Sequence, residues 1–371
     1  MEKKYDYAVV IGRFQPFHNA HQELIKQTLA LAEKIIVVLG SARNAPDIRN
    51  PFTPAMREQI IRSSFQAEND RLIFRAVRDY PYNDNFWITE IQNQVREAIE
   101  EDLERETAAA RTKGWQDKVT NEAREYNDVH VALVGHFKDQ TSYYLNLFPQ
   151  WSFEDFYVSS REISSINAAN IREQFFAGDD VWKKSVPAAT ADFLERFRQN
   201  EFFANLESEF EYLAKYRADT RFVGVPYEPV FVTTDAVVVQ SGHVLVVKRR
   251  GFPGKGLLAL PGGFLLPNLT LEDSAIKELK DETGIKVPVQ VLKGSIKAQK
   301  AFDHPERSQR GRTVTFAYLI QLEASLEKGL PHVKGGDDAS KAFWLPLSAL
   351  GENEDRFFED HVHIIRFFLG L

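Results

Sequence analysis

The stretch Tyr7-Ala8-Val9-Val10-Ile11-Gly12-Arg13-Phe14-Gln15-Pro16-Phe17-His18-Asn19-Ala20-His21 decides the fold of the first half of the chain. It begins as a short apolar strand, breaks at Gly12 and leads into a helix predicted over residues 21–33. A second apolar run, residues 34–39, follows and ends at Gly40. Strands that alternate with helices are typical of a parallel, doubly wound α/β sheet.

The alternation continues beyond this point. Residues 55–65 are predicted as a helix, and 71–77 and 129–134 as strands, the last of them closed by Gly135. Gly12, Gly40 and Gly135 therefore follow strand ends, which is the edge where such sheets bind ligands. We interpret the highly charged residues 88–128 as a solvated helix.

A β-rich pattern begins after Pro226 and Pro229. Strand-like runs are predicted at 231–234, 236–239, 244–247 and 313–320, with a helix at 271–282. We therefore predict an N-terminal Rossmann-like α/β domain over 1–188, a helical connector over 189–225 and a C-terminal α+β domain over 226–371.

Composition excludes several classes of function. The 371 residues are 43% apolar, enough for two packed cores, and the net charge of -7 argues against a dedicated nucleic-acid binder. The chain has no cysteine, which excludes disulfides, thiolate zinc sites and a cysteine nucleophile. It has neither a signal-peptide pattern nor an apolar run of about 18 residues. We expect a cytoplasmic protein without nucleic-acid or membrane partners, and a homo-oligomer stays open.

The residues after the first strand favour nucleotide chemistry. Gly12 allows a ligand close to the backbone, and the following helix offers free N–H groups and a positive dipole end to phosphates. His18 and His21 are three residues apart, so both imidazoles can face one site and donate to phosphate oxygens. A metal-binding pair, or two capped surface histidines, is the alternative interpretation of this spacing.

The run from Gly12 to His21 resembles the signature of the nucleotidyltransferase superfamily with a His/Thr-x-Gly-His motif. It is most similar to archaeal-type nicotinamide mononucleotide (NMN) adenylyltransferases, although Ala20 replaces the usual glycine. The resemblance implies that His18 and His21 are catalytic. It also implies that the substrates lie against Gly12, Arg13, Phe14 and Gln15.

Three later segments resemble the same family. The resemblance implies a phosphate-binding role for Arg57, a nicotinamide-stacking role for Trp87 beside Asn85, and a grip of Arg172 on ATP phosphates. Gly135, at a strand end, is predicted to line the same ligand. Taken singly, Trp87 is equally a core aromatic, and either arginine equally belongs to a solvated helix face. The late motif, which includes Ser164, carries Ala169 where relatives have threonine.

A second chemical cluster lies on the helix predicted over 271–282. Glu278, Asp281 and Glu282 are spaced i, i+3 and i+4, so the three carboxylates share one helical face. Thr270 is predicted to cap the start of this helix and Gly284 to cap its end. A solvated acidic face explains many such clusters, whereas carboxylate oxygens are also the ligands that Mg²⁺ prefers.

Residues 263–285 resemble the Nudix box in spacing. Three positions depart from it: Leu269 for Glu, Lys277 for Arg and Asp281 for Glu. The resemblance implies a Mg²⁺ site, with Mn²⁺ as the alternative, on Glu278, Asp281 and Glu282, of which Glu278 and Glu282 are catalytic. The flanking Arg307, Arg310 and Arg312 resemble the arginine loop of ADP-ribose pyrophosphatases, and a plain surface loop is the alternative.

The whole chain resembles bifunctional NMN adenylyltransferase/Nudix hydrolases. This implies that ATP, NMN and ADP-ribose are its ligands, with NAD made in the first half and ADP-ribose hydrolysed in the second. Two alternatives stay open. The Nudix half binds ADP-ribose only as a sensor, or the first half acts on another phosphate-ester acceptor.

Overall fold

The chain divides into two units. The computed structural model describes residues 3–112, 124–137, 140–156, 163, 165–219, 224, 226–324 and 329–371. The first unit holds Met1–Arg43 and Arg49–Ala204, and the second holds Asn44–Ile48 and Asn205–Leu371. The line between the units therefore falls inside the segment predicted as a connector.

Five parallel strands form the sheet of the first unit, in the order β3-β2-β1-β4-β5. The strands are β1 (Tyr5–Gly12), β2 (Ala32–Leu39), β3 (Leu72–Ala76), β4 (Val131–Gly135) and β5 (Ser152–Asp155). The helices are α1 (Asn19–Leu31), α2 (Pro54–Ser64), α3 (Asp84–Thr112), α4 (Ala168–Phe176) and α5 (Ala188–Phe197), followed by α6 (Glu201–Arg217). The predicted doubly wound parallel sheet is confirmed.

Both faces of the central strand β1 are covered. Ala8 and Val10 pack into a core that includes α1 and α2, while Tyr7 and Val9 pack into a second core that includes α3. Because side chains alternate across a strand, a strand buried on both faces needs an uninterrupted apolar run. That is why residues 7–11 lack polar alternation.

The first helix begins and ends two residues earlier than predicted. His18 is the N-cap of α1, and the chain is already extended at Ala32. The reason for the early end is strand pairing, since Tyr5 at the start of β1 pairs with Ala32. The parallel sheet therefore takes two residues that helical periodicity alone assigns to the helix.

The charged segment forms α3, which is amphipathic rather than solvated on all sides. Ile91, Val95 and Ile99 are fully buried under the sheet. Asp102, inside the most acidic run, is only 4% exposed and accepts a 2.8 Å hydrogen bond from the hydroxyl of Tyr7. Residues 113–123 of the predicted helix lie outside the described residues.

A mixed sheet forms the second unit, in the order β10-β11-β6-β7-β12, with β8 paired to β7 and β9 to β6. The strands are β6 (Phe231–Gln240), β7 (His243–Arg249), β8 (Leu258–Ala259), β9 (Gly262–Phe264), β10 (Ile296–Phe302), β11 (Thr313–Gln321) and β12 (Ala339–Pro346). The helices are α7 (Leu271–Thr283), α8 (Val289–Gly294) and α9 (His361–Leu369). The α+β prediction is confirmed. Among the described residues, no helix has the length and apolar content needed to cross a membrane.

Helix α7 has the two predicted caps. The Thr270 side chain accepts a hydrogen bond from the backbone of Asp273, and Gly284 adopts the left-handed conformation at φ 55° that ends many helices. Ala275, Ile276 and Leu279 pack against the sheet. Packing and caps together fix the direction in which the opposite face of α7 presents its acids.

Candidate active sites

The first candidate site lies at the carboxyl edge of the parallel sheet. The backbone N–H of Gly40 donates to the carbonyl of Gly12 at 3.0 Å, which joins the ends of β2 and β1. A Cβ on Gly12 would lie 2.9 Å from the ring of Phe14, so only glycine fits there. Phe14 itself has a φ of +50° and is 1% exposed. Its side chain therefore belongs to the core beneath the turn, and its contact with substrate stays a prediction.

Two stacked imidazoles stand at the start of α1. The rings of His18 and His21 are 3.6 Å apart between centroids, with 19° between their planes. The backbone N–H of His18 donates to Nδ1 of His21 at 3.4 Å. Burial, together with the neighbouring His18, lowers the pKa of His21 well below its usual range. A neutral His21 that accepts at Nδ1 carries its proton on Nε2, which makes Nε2–H a donor.

Gln15 and Arg57 brace the turn from inside. Nε2 of Gln15 donates to the carbonyl of Phe52 at 2.9 Å, while its Oε1 accepts from the Phe52 N–H at 3.0 Å. Arg57 is fully buried, and its guanidinium donates to the carbonyls of Arg13 at 2.7 Å and Gly40 at 2.6 Å. Burial lowers the pKa of Arg57 to about 10. Both side chains, predicted to contact substrate, are occupied by backbone groups.

Two other cations remain closer to solvent. Arg13 is exposed. Arg172, in α4, is half-buried and donates to the carbonyl of Gln15 at 2.6 Å, so α4 is tied to the same turn. The side chain of Asn167 caps α4 by accepting from the Ala169 N–H at 2.8 Å. The structure thus brings Arg172 to the histidine-bearing segment, while Ser164 lies outside the described residues.

Trp87 is anchored beside the sheet. It is half-buried in the first turns of α3, and its ring meets the rings of Tyr144 and Phe148 edge-on at 5.9 and 6.0 Å. Asn85, two residues earlier, is exposed. A Cβ on Gly135, at the end of β4, would lie 2.5 Å from Leu145. Gly135 is therefore needed for packing at the strand end.

The second candidate site surrounds Gly262 and Gly263, the first two residues of β9. The Gly262 N–H donates to Oε2 of Glu282 at 3.0 Å, and a Cβ on Gly263 would lie 3.0 Å from Oε2 of Glu278. Burial raises the pKa of Glu282 to about 8 and also raises that of Glu278. The carboxylates of Glu278 and Glu282, both costly to ionise, therefore lie close to the same two glycines at the start of β9.

Asp281 does not join this pair. It forms an ion pair with Lys277 one turn earlier on α7, where the two side chains are 43% and 52% exposed. In the part of the chain that the structure describes, no three His, Asp or Glu side chains converge as a metal cluster. Leu269, at the third altered position, is 37% exposed. The predicted face of three acids is thus divided into the buried Glu282 with the half-buried Glu278, and the exposed Asp281, which is paired with Lys277.

The three predicted arginines have different surroundings. Arg307 is 6% exposed and grips the carboxylate of Asp360 with two hydrogen bonds, of 3.0 and 2.8 Å. The guanidinium of Arg310 lies 5.0 Å above the ring of Phe264, at the end of β9. Arg312 is more exposed and donates to the carbonyl of Asp303. Arg310 therefore contacts the end of β9, whereas Arg307 is committed to an internal ion pair.

Replacing Arg307 with methionine is expected to lower the free energy of unfolding by about 3–5 kcal/mol, because it leaves the buried Asp360 carboxylate unpaired. Urea unfolding of the full chain measures this. Arg312→Met is the matched control and should cost less than about 1 kcal/mol, since its ion pair with Asp303 is partly exposed. If both variants are equally stable and Arg307→Met binds ADP-ribose more weakly, Arg307 contacts the substrate as the sequence predicted.

The sequence analysis did not identify two buried polar residues near the second site, Asp235 and His361. Asp235 is 4% exposed, accepts a hydrogen bond from the hydroxyl of Thr315 and lies beneath Gly262. His361 accepts a 2.8 Å hydrogen bond from the Leu260 N–H at Nδ1, and burial lowers its pKa. A lone acid inside the apolar run of β6 was the available signal for Asp235.

Comparisons with known proteins match both units. Residues 9–126 match the Cytidylyltransferase-like family and residues 230–368 match the NUDIX domain. A nicotinamide/nicotinic acid mononucleotide adenylyltransferase from Acinetobacter baylyi is 34% identical over 56% of this chain and 94% of its own length. An ADP-ribose pyrophosphatase from Methanocaldococcus jannaschii is 30% identical over 36% of this chain and 70% of its own.

Solved structures extend the match to the full length. A bifunctional NMN adenylyltransferase/ADP ribose pyrophosphatase from Francisella tularensis is 32% identical, covers 99% of both chains and superposes with a TM-score of 0.83. A second structure of that protein, complexed with AMP and a manganese ion, is 31% identical, with a TM-score of 0.81 and the same coverage.

Proposed function

Since this chain belongs to the family of bifunctional NMN adenylyltransferases/ADP-ribose pyrophosphatases, we propose that its two activities reside in separate units. The first unit joins NMN and ATP into NAD and pyrophosphate. The second cleaves ADP-ribose into AMP and ribose 5-phosphate. The match over 99% of both chains carries this proposal, because it includes both candidate sites in one relative.

In the first unit, the chain orients two anions and stabilises moving charge. An oxygen of the NMN phosphate attacks the α-phosphorus of ATP, and the bond to the departing pyrophosphate breaks. The N-terminus of α1 and Nε2–H of His21 face the charge that grows on the phosphate oxygens. Arg13 and Arg172 supply further positive charge. Gln15 and Arg57 hold the turn that carries these groups, and Trp87 beside Asn85 offers a ring for the nicotinamide.

In the second unit, Glu278 and Glu282 are the residues suited to hold a divalent cation. Their hard carboxylate oxygens lie close to Gly262 and Gly263, and a bound divalent cation would lower the cost of ionising both. Mg²⁺ and Mn²⁺ can be held by one or two protein carboxylates together with substrate phosphates. When bound, the cation would supply positive charge to the diphosphate and lower the pKa of the attacking water. Arg310 and Arg312 grip phosphate oxygens, and the bond between the two phosphates breaks.

A product assay tests the acceptor of the first unit. The full chain is incubated with ATP and, in parallel, with NMN, nicotinate mononucleotide, phosphopantetheine or glycerol phosphate. We expect NAD from NMN and pyrophosphate release with either mononucleotide. Pyrophosphate release only with phosphopantetheine or glycerol phosphate would overturn the proposal for this unit.

The altered Nudix box favours one second candidate, a unit that binds ADP-ribose without cleaving it. The observation behind it is the ion pair of Lys277 with Asp281, which occupies two of the three departing positions. An exposed ion pair such as Lys277 with Asp281 adds less to the rigidity of the helix than a buried partner would. The two candidates make opposite predictions for ADP-ribose turnover.

Restoring the box with Leu269→Glu and Lys277→Arg together is expected to raise ADP-ribose hydrolysis several-fold. Bracing partners of metal ligands typically contribute about 10–100-fold, and part of that function remains in this chain. Either substitution alone should do less, because the two residues act as a unit. AMP release with millimolar Mg²⁺ or Mn²⁺ is the assay. No AMP from the wild type or the double variant, despite measurable ADP-ribose binding, would favour the sensor.

A further inference from the structure

We propose that Gln309 is a positioning residue for ADP-ribose: it places Arg310 above Phe264, and Asp47 and Arg217 hold it there. Nothing in the sequence motifs singles out these three positions. The inference rests on the proposed role of Arg310 at the diphosphate. It adds a set of supporting contacts that lies outside the Nudix box.

Gln309 is held at two points. Its Nε2 donates to a carboxylate oxygen of Asp47, and its carbonyl accepts from the guanidinium of Arg217 at 2.9 Å. The side chain is buried, with 7% of the residue exposed. Both bonds involve a charged partner, which makes them stronger than bonds between neutral groups. The backbone and the side chain of Gln309 are therefore fixed independently.

Both partners come from sequence distant from the loop. Asp47 follows β2 in the chain, yet Asn44–Ile48 belongs to the second unit. Arg217 is the last residue of α6. Tyr216, beside it, meets the ring of Phe231 at 6.2 Å. A fragment that begins at residue 226 would therefore lack both Asp47 and Arg217, the two residues that hold Gln309.

The next residue along the chain is Arg310. Its backbone N–H donates to the hydroxyl of Ser308 at 3.3 Å, and its guanidinium lies 5.0 Å over Phe264. Phe264 in turn packs edge-on against Phe231 at 5.8 Å. Phe264 also ends β9, the strand that starts at Gly262, where the N–H contacts Glu282. Fixing Gln309 therefore fixes the guanidinium of Arg310 at the end of β9, the strand whose first residue, Gly262, contacts Glu282.

We expect the support of Arg310 by Gln309 to affect the Kd for ADP-ribose more than kcat. An arginine side chain loses much rotamer freedom when it is immobilised on a ligand. If the loop already holds the guanidinium in place, less of that entropy is lost on binding. A displaced Arg310 is expected to weaken ADP-ribose binding, while the acids at Glu278 and Glu282 stay in place.

A charge swap tests the contact. Gln309→Glu places two carboxylates together and should raise the Kd for ADP-ribose about tenfold, a loss comparable to one charged hydrogen bond. Adding Asp47→Asn reverses donor and acceptor, so the double variant should return close to the wild-type affinity. Calorimetry on the full chain in EDTA measures Kd without turnover, and kcat is then measured with Mn²⁺. We expect kcat to change far less than Kd.

The variant Arg310→Ala distinguishes a failure of the positioning role of Gln309 from a failure of the proposed role of Arg310 at the diphosphate. If Arg310→Ala weakens binding but Gln309→Glu does not, or if the double variant stays as weak as the single one, the positioning role is wrong. Unchanged binding in Arg310→Ala would refute the role of Arg310 itself, and the positioning role with it. The melting temperature of each variant shows whether a loss of affinity is instead a loss of folding.

Discussion

The variant His21→Ala synthesises NAD with a kcat lowered by about 10²–10³-fold, the loss expected when one pre-organised donor to developing charge is removed. Nε2–H of His21 is that donor, because Nδ1 accepts the backbone N–H of His18. The lowered pKa keeps the ring neutral at neutral pH, so Nε2–H donates without the ring having to take up a second proton. The KM for NMN should change little, since the interaction strengthens only as charge develops.

His130→Ala is the matched control for this effect. His130 precedes β4 at the opposite edge of the same sheet, and its side chain is 85% exposed. Its replacement should leave kcat essentially unchanged. Steady-state rates of NAD formation with saturating ATP measure both variants. Near-normal turnover by His21→Ala would show that the histidine pair is structural and that the transferase site lies elsewhere.

The variants Glu282→Gln and Asp281→Asn should differ sharply in ADP-ribose hydrolysis. Glu282→Gln removes the carboxylate beside Gly262 and is expected to lower kcat by about 10²-fold or more. Residues that only hydrogen-bond to metal ligands already contribute about 10–100-fold, and a ligand itself should contribute at least as much. Asp281→Asn breaks an exposed ion pair with Lys277 and should cost little.

AMP release at several Mn²⁺ concentrations makes this comparison quantitative. Glu282→Gln should require more metal for its residual activity, whereas Asp281→Asn should keep the metal dependence of the wild type. If the two substitutions cost the same, Asp281 leaves Lys277 when the cation binds. The set of three acids predicted from helical spacing would then be the correct one.

Much of the fold could be predicted from local patterns. The apolar run at residues 7–11 indicated a buried strand of a parallel sheet, and Thr270 and Gly284 marked both ends of α7. These signals are local because they depend on side-chain alternation and on helix-cap chemistry. The start of β2 was missed because pairing between Tyr5 and Ala32 is a non-local interaction.

The roles of individual side chains were harder to predict. Family resemblance assigned Arg57 and Arg307 to phosphate binding, but a sequence motif carries no information on burial, and both guanidinium groups have internal partners. Helical spacing also placed Asp281 with Glu278 and Glu282. It could not show that Lys277, one turn away, would pair with Asp281. Competition among partners within a site is settled by tertiary packing.

The most direct test of two separate sites in one chain measures both activities on the same preparations of His21→Ala and Glu282→Gln. We predict a double dissociation. His21→Ala loses NAD synthesis and hydrolyses ADP-ribose at the wild-type rate, whereas Glu282→Gln loses hydrolysis and synthesises NAD at the wild-type rate. Loss of both activities in either folded variant would contradict it and would indicate a single composite site.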